Sequence, residues 1–297
     1  MAMETVNVRP MEQADLRAVW QVVQNNKPAF APPGWPTSSL ELQRLAFLHP
    51  RACREGSVVA EVAGEIRGAL AFHDYREEGN AAICLIAVDE GARRLGIGRT
   101  LMETWEAKAR ALGLRRLLAP ETPEEDERFI EFAKSFGLKE AGRIISWVRG
   151  DEPTEAPEDE NVVPVVNVPL SEVTDAFNEC FPDMPRTQDD LHALITQSQW
   201  GPWASLAYVE GSRVLAFLFT TDREGKPYMQ HVGTRREARR RGLALKLLKH
   251  ALHVLLEGGA RVVECEVRED NVAAARLAAS FGMKPGRRRI ALVKELE

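Results

Sequence analysis

The chain has 297 residues, of which 44% are hydrophobic and 28% charged, and its formal net charge is −5. This length predicts two domains, and the composition is that of an ordinary globular protein. The negative charge gives no general reason to expect a nucleic-acid partner. Because no apolar run is long enough to span a membrane and no signal-peptide core is present, we expect a cytoplasmic protein without a membrane partner.

The four cysteines are scattered along the chain, with no Cys-x-x-Cys pair and no histidines at metal-ligand spacing. This pattern predicts free thiols in a reducing compartment, and it predicts neither a disulfide framework nor a metal site. The cysteines are Cys53, Cys84, Cys180 and Cys265.

The first 150 residues alternate between segments with strand periodicity and segments with helix periodicity. Strands are expected at 5–8, 57–62, 66–73, 82–88, 115–119 and 143–148. Helices are expected from Pro10 onward, at 40–48, after the fourth strand and at 124–136, with a loop at 25–39. The fourth strand leads into a glycine-containing turn, and the helix after that turn has an apolar stripe formed by Leu101, Met102, Trp105 and Leu112.

The segment 151–161 differs sharply in composition from its surroundings. It is rich in acidic residues and proline and has no aromatic residue, which is typical of a solvated linker. Its acidic residues are Asp151, Glu152, Glu155, Glu158, Asp159 and Glu160.

After this linker the order of elements repeats. Strands are expected at 162–168, 205–209, 214–220, 228–234, 261–267 and 290–293, and helices around 173–181, at 189–197, after the fourth strand (with a stripe of Leu245, Leu248, Leu252 and Leu255) and at 271–281. Glycines at three landmarks recur at offsets of 145 to 147 residues: Gly64 and Gly211, Gly96 and Gly242, Gly137 and Gly282. The chain is therefore predicted to be a tandem duplication of one α/β domain, with domains at 1–150 and 162–297.

The strongest local signal is the motif Arg-x-x-Gly-x-Gly/Ala, which occurs at residues 93–98 and again at 239–244. We call these the first and second glycine turns. Each lies between a predicted strand and a predicted helix. Small residues let backbone N–H groups converge at the positive end of the helix dipole, so the arrangement predicts an anion site suited to a diphosphate. The spacing matches neither a P-loop nor the three-glycine dinucleotide motif.

With these motifs, each half resembles an acetyltransferase of the GNAT superfamily, and the resemblance covers the chain apart from the linker. The tandem arrangement is similar to that of mycothiol synthase-like, double-GNAT proteins. The resemblance implies two α/β (α+β) domains, each with a mixed, mostly antiparallel sheet flanked by helices. It also implies an N-acetyltransferase that moves an acetyl group from acetyl-CoA, as co-substrate, to a primary amine of a small molecule.

The resemblance further implies which residues hold acetyl-CoA, mainly through the backbone of the glycine turns and the ends of the preceding strands. In the first half they are Val88, Arg93, Arg94, Leu95, Gly96, Ile97, Gly98, Arg99 and Thr100. In the second half they are Thr234, Arg239, Arg240, Arg241, Gly242, Leu243, Ala244 and Asn271. The acceptor is expected near the N-terminal helices and the tryptophan-containing loops at 32–35 and 200–203.

The catalytic groups depart from the family pattern. Many relatives use a tyrosine on the last helix to protonate the departing thiolate, and the corresponding residues here are Ala133 and Ala278. Tyr228 occupies the position of a family glutamate and is one candidate, with tyrosine packing as the alternative. Glu266 on the next strand is the second candidate, although Glu264 or a purely solvent-facing carboxylate is equally compatible with the pattern.

Two other functions are compatible with parts of the sequence. A catalytically silent acyl-CoA-binding or scaffold protein would keep the glycine turns without turnover. The basic residues of segment 235–241 could also bind nucleic-acid phosphates, but no aromatic residues are interleaved with them. Between the halves, the second is favoured as the transferring one, because it has Asn271 where the first has Asp126.

Overall fold

The structure is a computed structural model that describes residues 5–26, 35–152, 154–155, 158–223 and 225–297. The strands of the first half are β1 (Asn7–Pro10), β2 (Val58–Val62), β3 (Glu65–Tyr75), β4 (Asn80–Val88), β5 (Arg116–Leu118), β6 (Thr122–Pro123) and β7 (Lys139–Arg149). Its helices are α1 (Leu16–Asn25), α2 (Ser39–Gln43), α3 (Ile97–Ala111) and α4 (Glu127–Ser135).

The second half repeats this order. Its strands are β8 (Val162–Pro164), β9 (Leu206–Glu210), β10 (Arg213–Arg223), β11 (Lys226–Thr234), β12 (Val263–Arg268) and β13 (Lys284–Glu295). Its helices are α5 (Leu170–Cys180), α6 (Gln188–Thr196), α7 (Gly201–Ala204), α8 (Leu243–Glu257) and α9 (Val272–Ser280).

The chain forms two compact units, and their bounds differ from those of the two sequence halves. The first unit consists of Met1–Arg143 and Arg289–Glu297, and the second consists of Ile144–Arg288. In the first unit, β13 pairs antiparallel with β5, with Val293 opposite Leu118. In the second unit, β7 pairs antiparallel with β12, with Val148 opposite Glu264. Each unit therefore takes its last strand from the other half of the sequence.

This exchange is possible because the two strands are equivalent in the repeat. Val148 and Val293 are 145 positions apart, the same offset that relates Gly137 and Gly282. Either strand offers the same register to either sheet, so the halves 1–150 and 162–297 contain no signal that distinguishes the exchanged arrangement from a direct one.

In each unit the sheet is mixed and mostly antiparallel, as predicted. The strand order of the first unit is β1-β2-β3-β4-β5-β13, and only β4 and β5 run parallel. The second unit has the order β8-β9-β10-β11-β12-β7, and only β11 and β12 run parallel. Helices cover both faces: α3 packs on one side of the first sheet and α1 and α2 on the other, while α8 and the pair α5 and α6 take these places in the second.

The helices that follow the glycine turns are held by buried apolar stripes. On α3, Leu101, Met102 and Trp105 are buried as predicted. On α8, however, Leu245 is 37% exposed, and Leu247 takes the core position instead. Because Leu247 and Leu255 lie on the same face at multiples of four residues, Leu245 is rotated away from the sheet.

Several predicted elements have different bounds in the structure. Strand β1 includes Pro10, and α1 begins only at Leu16 after a short 3₁₀ turn. The helix expected at 40–48 consists of α2 followed by a π-type turn. Strand β8 is shorter than the predicted 162–168, because it ends at Pro164, which has no amide hydrogen to donate to a neighbouring strand. Most of the loop expected at 25–39 lies outside the described residues.

The linker is part of the second unit and is not simply solvated. Asp151 pairs with Arg261 at 2.9 Å, and Asp159 pairs with Lys246 at 2.7 Å. The backbone N–H of Val209 on β9 donates to the carbonyl of Asn161. The described end of the linker is therefore an extension of β8.

The four cysteines are free thiols, as predicted. Across the described residues, no helix has both the length and the apolar character needed to cross a membrane. The same residues include no group of three or more histidine, cysteine, aspartate or glutamate side chains placed to hold a metal ion.

Candidate cofactor and active site

In each unit a gap opens between the two parallel strands. Strand β4 pairs with β5 only through Asn80, Ala81 and Ala82, and then continues to Val88. Strand β11 pairs with β12 only through Tyr228 and Met229, and then continues to Thr234. Beyond these pairs the strands diverge, which leaves the polar backbone groups on that edge of β4 and β11 available to a ligand.

A β-bulge lies just beyond the closed end of each gap. The pairing with the preceding strand shifts by one residue there, so that Cys84 in β4 and Gln230 in β11 have no directly opposite partner. Cys84 and Gln230 are equivalent in the repeat. A bulge bends its strand and increases the local twist, which accounts for the divergence of the strands at this point.

The glycine turns lie at the open end of the gaps and have the same conformation in both units. Arg94 and Gly96 have left-handed φ values of 67° and 86°, and Arg240 and Gly242 have 64° and 79°. Gly96 and Gly242 are the N-caps of α3 and α8, and no described side chain caps either helix. A Cβ at either glycine would meet nothing within 4 Å. Each turn is thus an open set of amides at a helix N-terminus, which fits a diphosphate.

The two glycine turns differ in the ion pairs and hydrogen bonds that their neighbouring side chains form. At the first turn, Arg93 donates to Glu90 and Asn26, and the Thr100 hydroxyl donates to the Gly96 carbonyl at 3.2 Å. At the second turn, Arg241 pairs with Glu210, and Lys246 pairs with Asp159. Carboxylates therefore neutralise two cations at the start of α8.

Arg235, which follows Thr234 at the end of β11, is buried. Its Nε donates to the Val214 carbonyl at 2.7 Å, and its Nη1 pairs with Glu179 on α5. Because only 7% of Arg235 is exposed, it cannot contribute to a basic surface for nucleic acid. This removes one residue from the cluster on which that alternative function depends.

Tyr228 and Glu266 come together at the closed end of the gap in the second unit. The Tyr228 hydroxyl donates to Glu266 Oε2 at 3.1 Å. Arg223, at the end of β10, pairs with both carboxylate oxygens of Glu266, and its guanidinium carbon lies 3.6 Å from the centre of the Tyr228 ring. The Glu266 side chain is only 7% exposed. We call Tyr228, Glu266 and Arg223 the polar cluster.

The structure distinguishes Glu266 from Glu264. Glu264 pairs with Lys226 at 3.3 Å and does not join the polar cluster. Arg223 was not anticipated from the sequence. Its pairing with Glu266 depends on the lengths of β10 and β11, and no sequence motif marks it.

In the described residues of the first unit, an alanine stands where the second unit has Tyr228. The pair Ala82 and Leu118 occupies the positions of Tyr228 and Glu264. The segment that follows β5 is one residue longer than its counterpart, so that Pro120 and Glu121 together replace Glu266. Consequently, the closed end of the first gap has the apolar side chain of Ala82 where the second gap has Tyr228.

Asn271 and its equivalent Asp126 act as helix caps. Oδ1 of Asn271 accepts from the Ala274 amide at 3.1 Å, and Oδ1 of Asp126 accepts from the Phe129 amide at 3.1 Å. Both contacts satisfy an N-terminal N–H of the following helix. The Asn271 side chain therefore presents a neutral amide, and the Asp126 side chain a carboxylate, at equivalent places.

Two histidines are packed in the two units. His231 lies against Phe177 and Phe181 on the α5 side of the second sheet, with ring centroids 5.3 and 5.6 Å away. This is the opposite face from Val232, which packs with α8. In the first unit, His73 stacks on His49 at 4.1 Å, a partner that the sequence did not reveal.

His231 should make the second unit less stable in acid. Burial disfavours the charged imidazolium and lowers the pKa of His231 from 6.5 to about 4. Between these values the unfolded chain binds a proton that the folded chain does not, so stability falls as the pH falls through this window. From pH 6.5 to pH 5 the free energy of unfolding should drop by about 2 kcal/mol at most.

Urea unfolding at pH 7 and pH 5 measures this effect, and His231→Phe should remove it. His253→Gln, at a 44% exposed histidine side chain on α8, is the control and should retain the wild-type pH dependence. An equally acid-sensitive His231→Phe protein would contradict the assignment.

The tryptophans of segment 200–203 are partly buried and anchor the loop to the core. Trp200 and Trp203 pack against the core beside α8, and Nε1 of Trp203 donates to the Gln199 carbonyl at 2.8 Å. The other segment expected near the acceptor, 32–35, lies outside the described residues except for Trp35, which packs against the core beneath α1 and α2.

Comparison with known protein families shows which family has this sequence pattern. The model of the Acetyltransferase (GNAT) family matches residues 17–138 and 170–283, so that each match contains one glycine turn and one strand gap. The chain belongs to the GNAT acetyltransferase family. Its two matches confirm the tandem architecture predicted from the repeat.

Solved structures with a similar fold include a tandem GNAT protein. A GCN5-related N-acetyltransferase from Sphaerobacter thermophilus is 22% identical with a TM-score of 0.73, and the match covers 98% of this chain and 95% of that one. A tandem GNAT protein from the clavulanic acid biosynthesis pathway is 17% identical with a TM-score of 0.71, covering 98% of both chains. A putative acetyltransferase from Pyrococcus horikoshii is 15% identical with a TM-score of 0.68, covering 100% and 92%. No curated protein sequence matches the chain.

Membership of the GNAT family supports acyl-CoA-dependent N-acetyl transfer as the general activity. The glycine turns fit this group of co-substrates, because they offer uncapped amides with open space above Gly96 and Gly242. The similarity to the solved structures concerns the fold alone.

Proposed function

We propose that the protein transfers the acetyl group of acetyl-CoA to a primary amine of a small molecule, and that the second unit performs the transfer. The observation that carries this proposal is the polar cluster. It joins Tyr228, Glu266 and Arg223 at the closed end of a gap whose open end is a glycine turn. The first unit has the turn and the gap but has Ala82 at the tyrosine position.

The glycine turns are proposed to bind the diphosphate of acetyl-CoA through the amides of residues 94–98 and 240–244. In the second unit, the gap between the strands runs along β11 from Thr234 to Met229. Five strand residues span about 16 Å, so an extended arm can run from the turn to the polar cluster. The exposed backbone edge of β11 would orient this arm, with Asn271 beside it.

In the reaction, Tyr228 and Glu266 are proposed to receive the proton that the acceptor ammonium must lose. Tyr228 accepts this proton at Oη while it passes its own proton to Glu266 Oε2, with which it is already hydrogen-bonded. The amine nitrogen then forms the bond to the acetyl carbon as the carbon–sulfur bond breaks, and the second proton that the nitrogen loses goes to the leaving thiolate. Arg223 holds the Glu266 carboxylate in place.

Tyr228→Phe should lower kcat by about 100-fold, because loss of one positioned proton-transfer group typically costs this much. The KM for acetyl-CoA should change little, since the glycine turn is untouched. Glu266→Gln should have a similar effect, with a thermal melt to confirm folding. The measurement is CoA release over a panel of amines, amino acids and aminoglycoside-type compounds.

Glu264→Gln is the matched control, because Glu264 lies two residues before Glu266 on the same strand but pairs with Lys226. It should retain activity within about twofold. If acetyl-CoA binds but no acceptor in the panel gives turnover, the protein is a silent acyl-CoA-binding protein. Wild-type kcat in folded Tyr228→Phe and Glu266→Gln proteins would remove the polar cluster from the mechanism.

A further inference from the structure

The fourth residue of α8 is a cation, whereas the fourth residue of α3 is uncharged and the cation of that turn, Arg99, lies one position earlier. Lys246 lies one helical turn after Gly242, and its amide donates to the Gly242 carbonyl at 3.0 Å. At the equivalent position of α3, Thr100 turns its hydroxyl back to the Gly96 carbonyl. The Lys246 side chain is 40% exposed, so its ammonium group is accessible to an anion that approaches the second glycine turn.

In the structure this ammonium group is occupied by a carboxylate of the linker. Lys246 Nζ donates to Asp159 Oδ2 at 2.7 Å and lies 5.4 Å from the centre of the Tyr208 ring. The hydrogen bond from Lys246 holds the pKa of Asp159 below its usual value, and the same bond raises the pKa of Lys246. Both groups are therefore charged at neutral pH.

Asp159 is held at this place by the chain itself. Its Oδ1 accepts from the backbone amide of Asn161 at 3.1 Å and from the Asn161 side chain at 3.2 Å, and only 13% of the Asp159 side chain is exposed. The turn at 159–161 leads directly into β8. The carboxylate is thus preorganised beside α8.

We propose that Asp159 is an internal competitor of the co-substrate's phosphate oxygens for the ammonium group of Lys246 at the second glycine turn. This rests on the proposed function, in which that turn binds acetyl-CoA. A single ammonium group at the start of α8 can serve either the carboxylate of Asp159 or a phosphate oxygen of the co-substrate. Binding of acetyl-CoA at the second turn then requires Lys246 to exchange one anion for the other.

Asp159→Asn should therefore tighten acetyl-CoA binding at the second turn by about threefold to fivefold, the range expected for a partly exposed ion pair. The asparagine retains Oδ1 as acceptor for Asn161 and loses the charge that faces Lys246. The measurement is calorimetry with acetyl-CoA on full-length protein that also carries Gly96→Val, so that the heat reports on the second turn.

Asp151→Asn is the matched control, because it removes another linker charge, one that pairs with Arg261 instead. It should leave the affinity unchanged within about 1.5-fold, which separates the local exchange from a general loss of negative charge. In the double variant Asp159→Asn with Lys246→Gln, the gain should disappear, because the ammonium group through which it acts is absent.

Unchanged or weaker binding in Asp159→Asn, or a gain that persists in the double variant, would overturn the competitor role. These outcomes differ from failure of the proposed function, in which wild-type protein gives no acetyl-CoA binding at all. If wild-type protein binds acetyl-CoA but the Gly96→Val protein does not, with or without Asp159→Asn, the second turn is not a co-substrate site and the proposal is wrong.

Discussion

Gly242→Val should abolish acetyl transfer, whereas Gly96→Val should only weaken it. Both glycines have left-handed φ values, which a β-branched residue disfavours, and in both turns a side chain would project into open space where the diphosphate is proposed to lie. The ranking follows from the chemistry at the other end of each gap, because among the described residues the second unit has the polar cluster and the first has Ala82 in place of its tyrosine. We expect at least a 100-fold loss of kcat/KM for Gly242→Val.

The charges at the start of α4 point in the same direction. Asp126 presents a carboxylate where the second unit presents the neutral amide of Asn271, and Glu125 and Glu127 flank it. An anionic co-substrate is therefore repelled more at the first gap, although each repulsion between partly exposed charges is modest. We expect the first unit either to bind acetyl-CoA weakly at its glycine turn or to serve in building the acceptor cleft.

Matched controls lie at the opposite ends of the same helices. Gly113 follows α3 and Gly259 follows α8, both with left-handed φ values and with nothing within 4 Å of an added Cβ. Gly113→Val and Gly259→Val impose the same backbone strain away from the turns and should leave CoA release within about threefold of wild type. If Gly96→Val proves the more damaging of the two turn variants, the first unit is the enzyme.

Leu292→Ala should destabilise the first unit, although Leu292 lies in the second half of the sequence. Leu292 is 1% exposed and packs in the core of the first unit. Its equivalent in the repeat is Trp147, which packs in the core of the second unit although it lies in the first half. Truncation of a buried leucine or tryptophan to alanine costs about 2–5 kcal/mol.

Hydrogen exchange of the full-length variants measures which unit loses protection. For Leu292→Ala, amides of α3 and β4 should exchange faster while α8 and β11 remain protected, and Trp147→Ala should give the opposite pattern. The two variants control for each other, because they alter equivalent positions. A protein in which Leu292→Ala deprotects α8 and spares α3 would show that the last strands are not exchanged.

The chain order of strands and helices in each half and the two glycine turns could be predicted because they are local and occur twice. Strand–turn–helix patterns around Gly96 and Gly242 need only nearby residues, and the repeat offset fixes their equivalence. The polar cluster was only partly predictable. Tyr228 and Glu266 could be named, but Arg223 joins them through the register of two hairpin strands, which the sequence pattern does not specify.

The exchange of the last strands could not be predicted at all, because the property that permits it is the similarity of the repeats. Strands β7 and β13 have the same register toward either sheet, so hydrophobic pattern alone is equally satisfied by both arrangements. The missing tyrosine of the first unit, by contrast, could be predicted, because Ala82 stands six residues before Val88 as Tyr228 stands six before Thr234. The position of the missing glutamate could not. One extra residue near Pro120 displaces the glutamate position, and an offset that varies between 145 and 147 hides such a change.

The exchange also determines when the first unit can fold. Arg116 on β5 bonds to Glu295 on β13, which is 179 residues away in the sequence. During synthesis, the N-terminal sheet therefore has an open edge until residues 289–297 have emerged from the ribosome, long after its other strands are available. Closing so large a loop is slow, and until then the unpaired edge of β5 can pair with strands of other chains. Cleavage in the linker would leave each fragment with the strand that completes the sheet of the other fragment. The two sheets would then be complete only if the fragments associate, or if each fragment refolds and pairs with its own last strand.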